Sequence, residues 1–146
     1  MIAWRIAKAR HAQSIGALLN GEGARLVGGR WNSKGRRAVY AASTLSLAML
    51  EVLVHVQSPR VLRDYRMLDL QIPDDAIADV DSTGMDAAAM REAGDRFLMQ
   101  ARAIALRARS VVNPFEFNVM INPDHPDVGR ITAGELRALE FDQRLA

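Results

Sequence analysis

Three polar side chains stand where chemistry is expected of them. Glu51 interrupts the apolar run 45–56, and a carboxylate set beside a buried face requires a partner or a task. His55 follows four residues later on the same helical side, so a local Glu–His hydrogen bond or ion pair competes with a functional reading. Gly28, Gly29 and Arg30 form the second feature: two residues without side chains let a ligand approach the backbone, and the guanidinium beside them can fork onto a diphosphate. A tight turn with a solvated arginine is the plainer reading of the same triplet. Trp31, next in line, suits core or rim packing as well as a stacking platform. Ser110 is the third, in register with an apolar face that would bury its hydroxyl.

Several familiar chemistries are absent. The chain has neither a G-x-x-x-x-G-K-[ST] phosphate loop nor a G-x-G-x-x-G dinucleotide fingerprint. Its three histidines, His11, His55 and His125, are far apart and no H-E-x-x-H occurs, so no metal is expected. A Ser–His–Asp set can be assembled on paper from Ser110, His55 and one of many aspartates, but no G-x-S-x-G elbow supports it. With no cysteine in the chain, disulfides, thiolate nucleophiles and thiolate metal sites are excluded.

The elements that must position these residues follow from periodicity. Residues 8–19 suggest a short helix stopped at Asn20-Gly21, followed by a glycine-rich loop. Residues 37–42 read as a strand, after which Ser43 or Thr44 can cap a helix to about Val56, with Leu47, Leu50, Leu53 and Val54 as its apolar stripe and Pro59 closing it. Leu68, Leu70 and Ile72 alternate with polar residues as a half-buried strand ended by Pro73. A helix is expected over 85–102. Ile104, Leu106, Ala108 and Val112 repeat with period two, and Phe117, Val119 and Ile121 mark a further strand. The order of elements predicts an α+β fold rather than a doubly wound sheet.

The 146 residues suit one domain, 1–146, with a net charge of +2. No apolar run approaches the roughly 20 residues of a spanning helix, and the N-terminus lacks the apolar segment of a secretory signal, so a cytoplasmic protein with no membrane association is expected. Charge is uneven. Between Met1 and Arg37, Arg5, Lys8, Arg10, Arg25, Arg30, Lys34, Arg36 and Arg37 face only Glu22, and that end should attract phosphates. Asp64, Asp69, Asp74, Asp75, Asp79, Asp81 and Asp86 then form an acidic stretch suited to repelling nucleic acid or docking a basic partner.

The block GGRWNSKGRRAVYAASTLSLAMLEVLVH, followed downstream by RSVVNPFEFNVMINPDHPD, resembles the RES domain, the toxin half of a bacterial RES/Xre toxin–antitoxin pair. The match spans nearly the whole chain, and GGRWN, Y-x-x-S before A-x-L-E, and N-x-x-I-N-P-x-H-P are together far more specific than any one alone. The chain departs from the family pattern at Arg109, where a proline is usual, and near Phe97, where a tryptophan is common.

The resemblance implies an ADP-ribosyltransferase-like fold, a single domain with a split, mainly antiparallel β core flanked by helices. It also implies NAD as substrate, with no metal. Cleavage of the nicotinamide–ribose bond would lead to hydrolysis, phosphorolysis or ADP-ribosylation of a protein target. Arg30, Glu51 and Ser110 are then the three polar residues, with Tyr40 beside them. Glu51 would stabilise positive charge on the ribose, Tyr40 would pack on the nicotinamide, and Arg30, with Gly28 and Gly29, would neutralise the diphosphate. Trp31 and Asn32 would shape the loop, Ser43 would belong to the substrate-binding set, and Ser110 would donate to the nicotinamide or ribose. The expected partner is an Xre-type helix-turn-helix antitoxin within an oligomeric complex. Two rivals remain: a nucleic-acid module using the basic N-terminal third, and a catalytically silent partner-binding domain. Few aromatics and no recognised motif support the first, so direct nucleic-acid binding is not expected of this chain.

Overall fold

The computed structural model describes residues 1–56, 58 and 62–145; Pro59, expected to close a helix, lies outside them. The chain opens with β1 (Ile2–Lys8), whose seven residues all pair antiparallel with β3 (Tyr65–Gln71). That ladder replaces the helix expected over 8–19. Lys8 faces Tyr65, Ala9 N–H donates to the Asp64 carbonyl at 2.6 Å, and a 3-10 turn takes Ala9–His11. Only one helical turn survives, α1 (Ile15–Leu18), capped where Ser14 Oγ accepts from Ala17 N–H at 3.0 Å. Gly21, expected to stop a helix, starts one at φ +74°: α2 (Glu22–Val27) occupies what the glycine content suggested was loop.

Most period-two and capping signals hold; Val112, expected in period with Ile104, Leu106 and Ala108, instead lies exposed in the turn beyond a strand that ends at Arg109. β2 (Val39–Ala42) leads into α3 (Leu45–His55), where Thr44 Oγ1 accepts from Leu47 N–H at 3.0 Å as an N-cap. The apolar stripe of α3 is narrower than its sequence implies, because Leu47 is buried while Leu50 and Val54 are exposed. Leu68, Leu70 and Ile72 are fully buried, as their alternation requires. β4 (Ile77–Asp79), α4 (Ala87–Gln100), β5 (Ala105–Arg109), β6 (Phe117–Ile121), β7 (Thr132–Ala133) and β8 (Arg137–Leu139) complete the elements.

The strands run β4-β5-β6-β2-β1-β3-β7, with β8 also on β3; β4 and β5 are parallel and every other pair is antiparallel. The split in the β core falls between β1 and β2, which share one register pair, Trp4 opposite Ala42. Val119 and Ile121 of β6 join the core on one face with Leu68 and Leu70, whereas Met120 joins the opposite face under α4 with Trp31 and Met90. Tyr40 and Ala42, two residues apart on β2, share a face and pack with the α4 and α3 clusters respectively, so both helices cover one side of the sheet.

The acidic stretch is not an open acidic face. Asp69 pairs with Arg137, Asp74 with the N-terminal ammonium, Asp75 with Arg130 and Asp79 with Arg107, while Asp81 and Asp86 accept from the backbone of Thr83 and Ala89. The basic end is likewise engaged: Arg25 and Arg37 meet Glu22, and Arg36 meets Asp95. Among the described residues no helix is long and apolar enough to cross a membrane.

Candidate active site

A cavity of about 720 Å³ lies beside the seam between β1 and β2, within the size range of small-ligand sites. One wall is α3. Ala48, Glu51, Val52 and His55, spaced i, i+3, i+4 and i+7, line the cavity from a single helical face. Glu51 therefore belongs to a cavity-facing stripe rather than to the core face formed by Leu47. Its partners are not its helical neighbour His55: Oε1 accepts from Ser110 Oγ at 3.2 Å and from Asn118 Nδ2 at 3.0 Å.

The opposite wall is the turn after α2. Gly28 ends that helix at φ +74°, its N–H donating to the Ala24 carbonyl at 2.8 Å, and Gly29 N–H donates to the Asn32 carbonyl at 3.0 Å. A Cβ on Gly29 would lie 2.7 Å from the Tyr40 hydroxyl and 2.8 Å from Asn32 Oδ1, so the position requires glycine. Asn32 is fully buried. Its amide donates to the carbonyls of Ala24, Ser33 and Arg36, and its Oδ1 accepts from the Tyr40 hydroxyl at 2.7 Å. The same hydroxyl accepts from Trp31 N–H at 3.0 Å, so Tyr40 is locked to the loop that carries Arg30. Burial pushes the Tyr40 phenol up to about 12, and it stays neutral at physiological pH. Trp31 is buried against Met90 and Leu106, yet also lines the cavity. Arg30 is exposed, lines the cavity, and makes no hydrogen bond or ion pair among the described residues.

The structure thus brings Gly28, Gly29, Arg30, Trp31, Tyr40 and Glu51 around one hollow. Asn32 stands behind it as the hub of the loop. Ser110 is 2% exposed and also lies behind the wall: its single proton is directed at Glu51, and its oxygen accepts from Val112 and Asn113 N–H at 3.0 and 3.1 Å. That geometry leaves no Ser110 proton for a nicotinamide or ribose. Ser43 is not brought to the cavity; it continues the β2–β6 pairing, exchanging hydrogen bonds with the Phe117 backbone through its own N–H and Oγ. Among the described residues no three His, Asp or Glu side chains converge as metal ligands.

Two polar residues of the wall are not singled out by sequence reasoning. Arg5 lines the cavity from β1, its guanidinium donating to the carbonyls of Leu18 at 3.4 Å and Tyr40 at 3.2 Å, which ties it across the seam. Burial lowers its pKa to about 10, still well above neutrality. Its signal is the one that marks Glu51: a charge within an apolar segment, here Ile2–Ala7. Asn118 is the other. It pairs in register with Ala42 and Ala108, and no local pattern links it to Glu51, 67 residues away.

A mixed, mainly antiparallel sheet divided at one seam, with a carboxylate and two arginines around the gap, defines a compact α+β protein built about a small-molecule cleft. The RES domain family profile matches residues 2–142, and the chain belongs to that family. It is 37% identical to "Toxin Res" of Photorhabdus laumondii, over 99% of this chain and 97% of that protein. It is 33% identical to "Prs ADP-ribosylating toxin" of a Sphingobium species, over 97% of this chain and 94% of that protein. The fold is similar to that in the crystal structure of the M. tuberculosis MbcT–MbcA toxin–antitoxin complex, with a TM-score of 0.76, 19% identity, and coverage of 95% of this chain and 84% of that one.

Proposed function

We propose that this RES-domain protein is the toxin of a bacterial toxin–antitoxin pair and cleaves NAD at the bond between nicotinamide and ribose. The observation that carries the reading is the cavity that unites a tethered carboxylate, Glu51, with two arginines, Arg5 and Arg30, and the immobilised ring of Tyr40. In the reaction the bond between ribose C1′ and the nicotinamide nitrogen breaks, its electron pair goes to the ring nitrogen, and positive charge grows on the sugar. Glu51 stabilises that charge and accepts from a ribose hydroxyl. Tyr40 packs on the nicotinamide, and the arginines neutralise the diphosphate, with Gly28 and Gly29 permitting close approach. Trp31 and Asn32 hold the loop, and Ser110 acts through Glu51.

Incubation with NAD, with and without phosphate and cell lysate, followed by mass identification of products, tests the reading. Free nicotinamide with ADP-ribose or its 1″-phosphate supports it; unchanged NAD in every mixture overturns it. ADP-ribose attached to a lysate protein would establish the second reading, an ADP-ribosylating toxin, which the name of the Sphingobium relative favours. Arg30→Ala is expected to raise KM for NAD about ten- to a hundredfold with a smaller change in kcat, the scale of lost charge-assisted contacts. Steady-state kinetics at two salt concentrations check it.

The partner in this reading is an antitoxin, of Xre helix-turn-helix type, that covers the cavity of a cytoplasmic toxin in an oligomeric complex. Its support is the toxin–antitoxin relative, together with the exposed apolar side chain of Val27 on the cavity wall.

A further inference from the structure

The carboxylate of Glu51 is anchored through one oxygen only. Oε1 accepts from both Ser110 Oγ and Asn118 Nδ2, whereas Oε2 has no hydrogen-bond partner among the described residues. An ionised carboxylate only accepts, so the Asn118 amide must turn its nitrogen toward Glu51, which fixes its orientation.

The two donors come from different elements. Ser110 sits in the turn between β5 and β6, held by the N–H groups of Val112 and Asn113. Asn118 sits on β6, flanked by β2 and β5 and paired with Ala42 on one side and Ala108 on the other. Two alanines beside the asparagine leave space above the sheet for a long side chain descending from α3. Donors from a strand and from a turn, meeting on one oxygen, restrict the carboxylate in two directions.

We propose that Asn118 is a positioning residue for NAD cleavage: its amide, together with the Ser110 hydroxyl on the same oxygen, sets the plane of the Glu51 carboxylate and leaves Oε2 to face the ribose. This rests on the NAD-cleaving reading above. Productive geometry in such sites is held within a fraction of an ångström by supporting hydrogen bonds, and losing one to a charged group lowers rate more than binding.

The test compares Asn118→Leu, which keeps the branched shape and removes the donor, with Asn118→Ala, which removes both, in the full chain. Both are expected to lower kcat about ten- to a hundredfold with KM for NAD within about threefold of the parent. In a Glu51→Gln background, Asn118→Leu should cost less than about threefold more, because the charge it orients is already gone. A packing role predicts the reverse order, Asn118→Leu near parental and Asn118→Ala impaired, and that result overturns the proposal. Failure of the NAD reading is distinguishable, because the parent then consumes no NAD. Crystal structures of the parent and Asn118→Leu then decide alone: Glu51 turned from its parental rotamer upholds the tether, and an unmoved Glu51 overturns it.

Discussion

Glu51→Gln is expected to lower NAD consumption about a hundred- to a thousandfold while leaving the thermal midpoint within a degree or two of the parent, the scale of losing one transition-state electrostatic group. The substitution is close to isosteric, and the glutamine Oε1 still accepts from Ser110 and Asn118 where the carboxylate oxygen did. What disappears is the negative charge opposite the sugar. Ground-state contacts of the diphosphate with Arg5 and Arg30 are untouched, so KM should change little. Single-turnover and steady-state rates with purified protein check this, and turnover of Glu51→Gln at the parental rate would remove Glu51 from the reaction.

Gly94→Ala should be the most damaging small substitution in the chain. Gly94 is buried on α4 where it meets the Trp31 backbone, and a Cβ placed there would lie 1.7 Å from the Trp31 carbonyl oxygen and 2.6 Å from its carbon. No rotamer change relieves a clash with backbone, so helix or loop must move. The cost should reach about 3 kcal/mol or more, at the upper end of overpacking and well above the roughly 1 kcal/mol alanine gains in helix propensity. The midpoint should fall by roughly 6–12 °C. The damage should extend to NAD cleavage, since Trp31 N–H holds the Tyr40 hydroxyl and Asp95, one residue beyond Gly94, holds Ser33 N–H at 2.8 Å. Gly23→Ala is the control: on α2, with nothing within 4 Å of its Cβ, it should melt at or slightly above the parental temperature. A Gly94→Ala protein that melts like the parent would refute the close approach.

The elements legible in the sequence are those whose signals are local. Thr44 caps α3 because its hydroxyl satisfies an N–H three residues on, and Leu68, Leu70 and Ile72 alternate because one face of their strand is buried. β1 is not legible in this way. Its buried residues, Ala3 and Ile6, do not follow period two, and its stability comes from a ladder to β3 some sixty residues away. The expected helix over 8–19 fails for the same reason, since the pairing of Lys8 with Tyr65 extends the strand into it. In the site, Arg30, Tyr40 and Glu51 are grouped by the family resemblance rather than by spacing. The cavity then excludes Ser43 and sets Ser110 behind Glu51, because hydroxyls near strand ends are drawn to backbone and carboxylate partners. Asn118 and Arg5 act through partners 67 and 35 residues away, distances at which no periodicity operates.

The sheet is thinly stitched where it matters most. With Trp4 and Ala42 the one facing pair between β1 and β2, the two halves are joined there by Arg5 and by side-chain packing more than by a ladder. A guest lodged in the gap touches both halves and serves as the missing rungs. Occupied protein should consequently resist heat and proteases better than empty protein, so that whatever fills the cleft, substrate or restraining partner, also prolongs the life of the molecule it occupies.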